Sequence, residues 1–160
     1  MKETVYIETS FVSYLTANLS RDLIVAVHQQ ITKTWWEDYS HEFEIYISEL
    51  VIRESMAGNK DASLKRNEVL KKLSVLELKQ EVHGLAQQFL EHKAIPKKAV
   101  EDALHVATAC VHGIDYLLTW NCKHIANAQI RNALIEVSSD FGYNLPIICT
   151  PEELMGGKHV

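Results

Sequence analysis

Short β-type runs alternate with longer helical patterns along the whole chain, and this alternation constrains the fold more than any other feature. Strands are predicted at residues 4–8, 43–47, 74–77, 115–119 and 146–149. Helices are predicted at residues 10–18, 21–40, 48–57, 61–72, 80–92, 97–112, 129–140 and 151–155. Such alternation is typical of helices packed on a mainly parallel sheet. We therefore predict one α/β domain over residues 1–160, with a parallel sheet of about five strands in a three-layer arrangement.

Several element boundaries have a direct physical cause in the sequence. Ser48 is placed to cap the helix that follows FEIYI, and Thr150 before Pro151 favours another helix start. Pro96 suits the first turn of the helix that Gly113 is expected to end in a left-handed cap.

Composition and cysteine usage exclude some classes of protein. The three cysteines are odd in number and scattered, which argues against a disulfide framework. No apolar run is long enough for a signal peptide or a membrane span, so we expect a cytoplasmic protein. The net charge of −5 gives no global case for nucleic-acid binding, although residues 58–72 carry five basic side chains against two acidic ones. A solvated helix face is the ordinary interpretation of such a run.

Polar side chains follow the predicted strands at the edge where parallel sheets bind ligands. Glu8 closes the first strand, and Glu54 lies two turns into the helix after FEIYI. Asn121 comes just after DYLLT, and Asp102 lies early in the helix before that strand. Because ligands collect at the carboxyl ends of parallel strands, we expect these four side chains to meet there.

Asp102 is the most informative of the four. It lies at the edge of an apolar stripe at helical spacing, formed by Ala99, Ala103, Val106, Ala107 and Cys110. A carboxylate held against an apolar face costs several kcal/mol unless a cation pairs with it. Too few lysines and arginines lie in these segments, so an external cation is the simplest partner, and oxygen ligands favour Mg²⁺ or Mn²⁺.

Each of these residues also has a purely structural interpretation. Glu8 could form a salt bridge at a strand end, Glu54 could be an exposed helix residue, Asp102 could pair with Lys98, and Asn121 could form a turn. Their joint placement is what favours a metal site.

Four segments of the chain resemble the PIN-domain family, in particular the VapC-like toxins of toxin–antitoxin pairs. These segments are YIETSFVSYL, YISELVIRE, EDALHVATACVHGIDYLLTWN and LLTWNCKHIAN. They occur in the family's order, and the likeness covers residues 4 to about 155. The family usually has aspartate where this chain has Glu8, and it has either aspartate or asparagine at the position of Asn121.

The resemblance implies a metal-dependent nuclease that acts on RNA, often as a homodimer and often neutralised by a small antitoxin protein. Carried over to this chain, it makes Glu8, Glu54 and Asp102 the ligands of Mg²⁺ or Mn²⁺, with Asn121 completing the acidic pocket. The resemblance also implies that Thr9 or Ser10 orients a carboxylate or a water of the site.

Several residues near these segments are weaker candidates for contact with the substrate. Lys97 and Lys98 lie at the start of the predicted Asp102 helix, and Lys123 and His124 follow Asn121, so all four could approach RNA phosphates. His105, one turn after Asp102, is interpreted as a packed histidine.

The departure at Glu8 leaves competing functions open. The extra methylene displaces the carboxylate by on the order of 1.5 Å, and metal sites tolerate little displacement. We therefore consider an active endoribonuclease first, and as the alternative a catalytically weakened PIN domain that binds RNA or a protein partner. A metal-dependent phosphatase acting on small molecules is a remote third possibility.

Overall fold

The computed structural model describes residues 1–156, and its centre is one parallel sheet of five strands. The strands are β1 (Thr4–Ile7), β2 (Glu44–Ser48), β3 (Ser74–Leu76), β4 (Tyr116–Leu118) and β5 (Ile147–Cys149). Their order across the sheet is β3-β2-β1-β4-β5, and every neighbouring pair is parallel. The predicted fold class and the five predicted strands are confirmed.

Seven α-helices connect and cover these strands within residues 1–156. They are α1 (Thr9–Thr16), α2 (Leu23–Asp38), α3 (Glu49–Ser55), α4 (Lys60–Leu70), α5 (Gln80–Glu91), α6 (Val100–Val111) and α7 (Ala128–Asp140). No helix in this part of the chain combines the length and the apolar character needed to cross a membrane.

Local capping chemistry explains most helix boundaries, with two corrections to the sequence predictions. Ser48 accepts a hydrogen bond from the Val51 N–H, and Gly113 follows α6 with a φ of 66°. The helix predicted from residue 97 begins only at Val100, because Pro96 lies in a separate turn whose carbonyl accepts from the Ala99 N–H. The helix predicted at residues 151–155 is a short 3₁₀ helix, Pro151–Leu154, with the expected Thr150 cap.

The hydrophobic core lies between the sheet and its helices. Tyr6 and Ile7 of β1 and Leu117 of β4 are fully buried in it. The two adjacent tryptophans of α2 differ, because successive helical residues point in different directions. The Trp35 side chain is fully buried and its indole N–H donates to the Leu154 carbonyl, whereas Trp36 is half-buried at the edge of the core.

The strand order fixes where a site can form. The chain builds β1, β2 and β3 outwards in one direction and then returns to place β4 on the other side of β1. Ligands in open α/β sheets bind at the carboxyl ends of the strands where the order reverses in this way. The carboxyl ends of β1 and β4 are therefore the expected location of a site.

The packing difference between the two tryptophans gives a stability prediction. Trp35→Ala removes a fully buried side chain and its hydrogen bond, so we expect a loss of about 3–5 kcal/mol in the free energy of unfolding. Trp36→Ala, the matched control, should cost distinctly less because Trp36 is partly solvated. Chemical denaturation of both variants measures this, and equal losses would contradict the described packing.

Candidate functional site

Glu8 directly follows β1, and its carboxylate is held by one of its two oxygens. Oε2 accepts hydrogen bonds from the backbone N–H of Ser10 (3.0 Å), from the Ser10 hydroxyl and from the Thr119 hydroxyl (2.8 Å). Glu8 is thus both the N-cap of α1 and a link to the end of β4. Its other oxygen, Oε1, lies 4.0 Å from Nε2 of His105.

Glu54 lies near the end of α3 and faces the same imidazole. Its Oε1 accepts from the Thr9 hydroxyl (2.6 Å) and is 2.6 Å from His105 Nε2. Glu8 and Glu54 therefore lie around one histidine nitrogen. The side chain of Glu54 is 31% exposed, so this carboxylate is open to solvent on one side.

Asp102 is in the first turn of α6. Since α6 leads the chain back to the start of β4, its N-terminal end is at the carboxyl edge of the sheet. Oδ1 of Asp102 accepts from the side-chain amide of Asn121 (3.0 Å), and Oδ2 is 2.9 Å from His124 Nδ1. Glu54, Asp102 and His124 line one groove together with Lys98.

The side chain of Asn121 makes contacts that differ from those expected of a metal ligand. Its side-chain oxygen accepts from the backbone N–H groups of Lys123 and His124, and so it closes the loop after β4. Its amide nitrogen donates to Asp102. In this arrangement Asn121 orients an acid of the site through its N–H group.

Histidines, rather than lysines or arginines, face the three carboxylates. Within residues 1–156 no Lys or Arg forms an ion pair with Glu8, Glu54 or Asp102. Burial lowers the pKa of His105, but its hydrogen bond to Glu54 and the charges of the three carboxylates outweigh this and leave that pKa above its usual value. Burial has the opposite effect on Glu54 and raises the pKa of its carboxyl group. The hydrogen bond and charge of His105 outweigh burial and leave the pKa of Glu54 below its usual value. Within residues 1–156 the three acids are thus paired with histidines and not with lysine or arginine.

The donor chemistry of the site fits a hard divalent cation. The three acids supply carboxylate oxygens, and Glu8 Oε1 and Glu54 Oε2 have no hydrogen bond of 3.5 Å or less from residues 1–156. In the same part of the chain, however, no three His, Cys, Asp or Glu side chains stand close enough to form a ready metal cage. Closing a ligand set around an ion would therefore require rearrangement of these side chains.

The other residues predicted from the sequence differ in whether they contact the acids or line the groove. Thr9 and Ser10 bond to Glu54 and Glu8, and Lys98 and His124 line the groove. Lys97 and Lys123 are exposed nearby without lining it.

The basic stretch 58–72 is partly engaged in structural contacts. Lys65 bonds to Asn18, Arg66 to the carbonyls of Ser55 and Ala57, and Lys71 pairs with Glu68. These contacts support the interpretation of a largely structural and solvated helix.

Sequence reasoning missed two residues that hold the acids. Thr119 is fully buried and binds Glu8, and His105 binds Glu54 instead of only filling space. The signal for Thr119 was its position at the end of a strand beside Glu8. For His105 the signal was its spacing of three residues from Asp102, which places both on one face of α6.

Comparisons with known proteins identify the fold. The sequence matches no protein-family model, and comparison with curated proteins finds no significant match. Among solved structures, VapC20 of Mycobacterium tuberculosis, a toxin that cleaves the sarcin-ricin loop, aligns with a TM-score of 0.57 and 13% identity over 87% of this chain and 95% of that chain. A chain of the Rickettsia felis VapBC2 complex, solved with a DNA fragment from its promoter, aligns with a TM-score of 0.60 and 17% identity over 92% and 98% of the two chains. The chain therefore has the PIN-like fold of the VapC toxins.

Proposed function

We propose that this protein is a metal-dependent endoribonuclease, the toxin of a toxin–antitoxin pair. The observation that carries the proposal is the convergence of Glu8, Glu54 and Asp102 at the carboxyl edge of a VapC-like sheet. The three acids come from distant parts of the chain, and no lysine or arginine within residues 1–156 neutralises them by an ion pair. Holding three such carboxylates together lowers the stability of the fold, so a stabilising role does not explain them.

In this proposal Glu8, Glu54 and Asp102 hold Mg²⁺ or Mn²⁺. A bound divalent ion would polarise the scissile phosphate and lower the pKa of a water that attacks it. The chain's own residues prepare the acids for this role. Ser10 and Thr119 fix Glu8, Thr9 fixes Glu54, and Asn121 fixes Asp102.

Charge explains why a cation is needed to bind RNA here. The net charge of −5 and the three acids repel a phosphodiester. Lys98 and His124 line the groove beside Glu54 and Asp102, and Lys97 and Lys123 are exposed near it. We assign these four residues to the approach of the RNA backbone, where a bound divalent ion would offset the negative charge of the acids.

The partners proposed for the chain are an antitoxin protein and a second copy of the chain in a homodimer. Support comes from the VapBC2 complex among the similar structures and from exposed apolar residues around the start of α2. Leu23, Ile24 and Val27 are 82%, 70% and 57% exposed, and Leu19 just before the helix is 71% exposed. Exposed apolar groups of this kind are typical of surfaces that another chain covers.

A second candidate function is a weakened domain that binds RNA or protein without cleaving. It is favoured by the absence of a ready metal cage within residues 1–156 and by the hydrogen bonds that each acid already accepts from the chain.

Loss of one acid should abolish cleavage if the first proposal is correct. We expect the wild-type chain to cleave single-stranded RNA with Mn²⁺ and to lose cleavage with a chelator. Asp102→Asn keeps the shape but removes the charge, so its rate should fall by at least about 100-fold. Glu136→Gln, an exposed change on α7, is the matched control and should keep the wild-type rate. Equal cleavage by wild type and Asp102→Asn would contradict the proposal.

Shortening Glu8 distinguishes the two candidate functions. Its Oε2 accepts three hydrogen bonds, and the shorter aspartate should lose the one from Thr119 at the end of β4, so Glu8→Asp should cleave RNA about tenfold more slowly than wild type. Glu3→Asp, the same change at an exposed position, should have no effect. A gain of cleavage in Glu8→Asp would instead identify the natural chain as a weakened nuclease.

A further inference from the structure

A buried chain of hydrogen bonds runs from β2 through β1 to Glu54. The Ser48 Oγ is 2.8 Å from the Tyr6 hydroxyl, which is 2.6 Å from Nδ1 of His105. Nε2 of His105 is 2.6 Å from Oε1 of Glu54. Ser48, Tyr6 and His105 are all completely buried, so water does not take part in these contacts. We call these four side chains the relay.

The hydrogens available in the relay determine its direction, that is, which atom donates and which accepts in each of its hydrogen bonds. Ser48 Oγ already accepts the Val51 N–H (3.3 Å), and within residues 1–156 the only acceptor for its own hydrogen is Tyr6. Tyr6 then donates its hydroxyl hydrogen to Nδ1 of His105. Because Nδ1 acts as an acceptor, the neutral imidazole carries its hydrogen on Nε2, which donates to Glu54.

The opposite direction is less favourable. A hydrogen on Nδ1 would have to be accepted by Tyr6, which would then donate to Ser48. The hydroxyl hydrogen of Ser48 would have no acceptor among the described residues, in a place that water does not reach. Burial, together with the charges of Glu8 and Glu54, raises the pKa of Tyr6 well above its usual value, which keeps it a phenol that can donate.

The relay acts on one oxygen of Glu54. Oε1 receives both the His105 Nε2–H and the Thr9 hydroxyl, which fix the plane of the carboxylate. Oε2 has no hydrogen bond from residues 1–156, and the partly exposed Glu54 side chain lines the groove shared with Asp102. A carboxylate held in this way presents a defined oxygen to an incoming cation.

We propose that His105 is a positioning residue of the nuclease centre, which Tyr6 and Ser48 lock in the tautomer with hydrogen on Nε2 so that Glu54 presents Oε2 to the metal ion. The inference rests on the proposed function only in the role that it gives to Glu54. The direction of the relay itself is independent of any catalytic activity.

Nitrogen NMR of labelled histidines tests the direction of the relay. The full-length chain is measured at an alkaline pH at which the imidazoles are neutral, and the His105→Gln spectrum identifies the His105 signals among those of the eight histidines. We expect wild-type His105 to show hydrogen on Nε2 alone. Hydrogen on Nδ1 would overturn the proposal, and this result does not depend on whether any Tyr6 variant folds.

The variant Tyr6→Phe tests the lock. It removes the donor to Nδ1 and keeps the ring, so His105 should become a mixture of both tautomers. Tyr46→Phe is the matched control because Tyr46 lies beside Tyr6 in the paired strand β2, and among residues 1–156 its hydroxyl bonds only to Glu44. We expect the control to keep the wild-type tautomer, and an unchanged tautomer in Tyr6→Phe would overturn the lock.

Calorimetric titration with Mn²⁺ tests the positioning role. We expect Tyr6→Phe to bind Mn²⁺ about tenfold more weakly than wild type and Tyr46→Phe to bind it equally well. Equal affinity of Tyr6→Phe and wild type would overturn the positioning of Glu54 by His105. A wild-type chain that shows the Nε2 tautomer but no Mn²⁺ binding would overturn the proposed function and leave the relay established.

Discussion

The placement of three carboxylates at one edge of a parallel sheet is the constraint on which the rest of the site depends. Glu8, Glu54 and Asp102 are held against a hydrophobic core, where a charge without partners is costly. Within the described chain they are stabilised by hydroxyls, an amide and two imidazoles, instead of by lysine or arginine. The hydroxyl and amide donors are neutral, so they orient a carboxylate and still leave most of its charge available to a cation.

The way in which each acid is held divides its two oxygens between structure and binding. Glu8 gives Oε2 to three donors from α1 and β4, and Glu54 gives Oε1 to Thr9 and His105. The second oxygen of each group has no such partner among residues 1–156. If Glu8 takes the place of the family's usual aspartate, as the resemblance implies, this division shows how the longer side chain fits there. The longer side chain reaches the end of β4 with one oxygen and leaves the other directed at His105.

The sequence was sufficient to predict the sheet and the edge of it at which the polar residues lie, because both follow from local patterns, whereas the assembly of the acids into one metal site stays a prediction. Alternating strand and helix signals predict parallel strands, and polar residues after those strands must then share an edge. The contacts of Thr119, His105 and His124 could not be predicted, since each depends on tertiary distances between segments about 20 to 110 residues apart. The start of α6 was placed too early because Pro96 fits a helical first turn and an isolated turn equally well.

Calorimetric titration of the wild-type chain with Mn²⁺, repeated on Asp102→Ala, tests the central claim most directly. If the three acids form a metal centre, the wild type should bind one ion saturably and the variant should lose that binding. A wild-type chain that releases no heat of binding, or a variant that binds as tightly as wild type, would contradict a metal centre at this edge of the sheet.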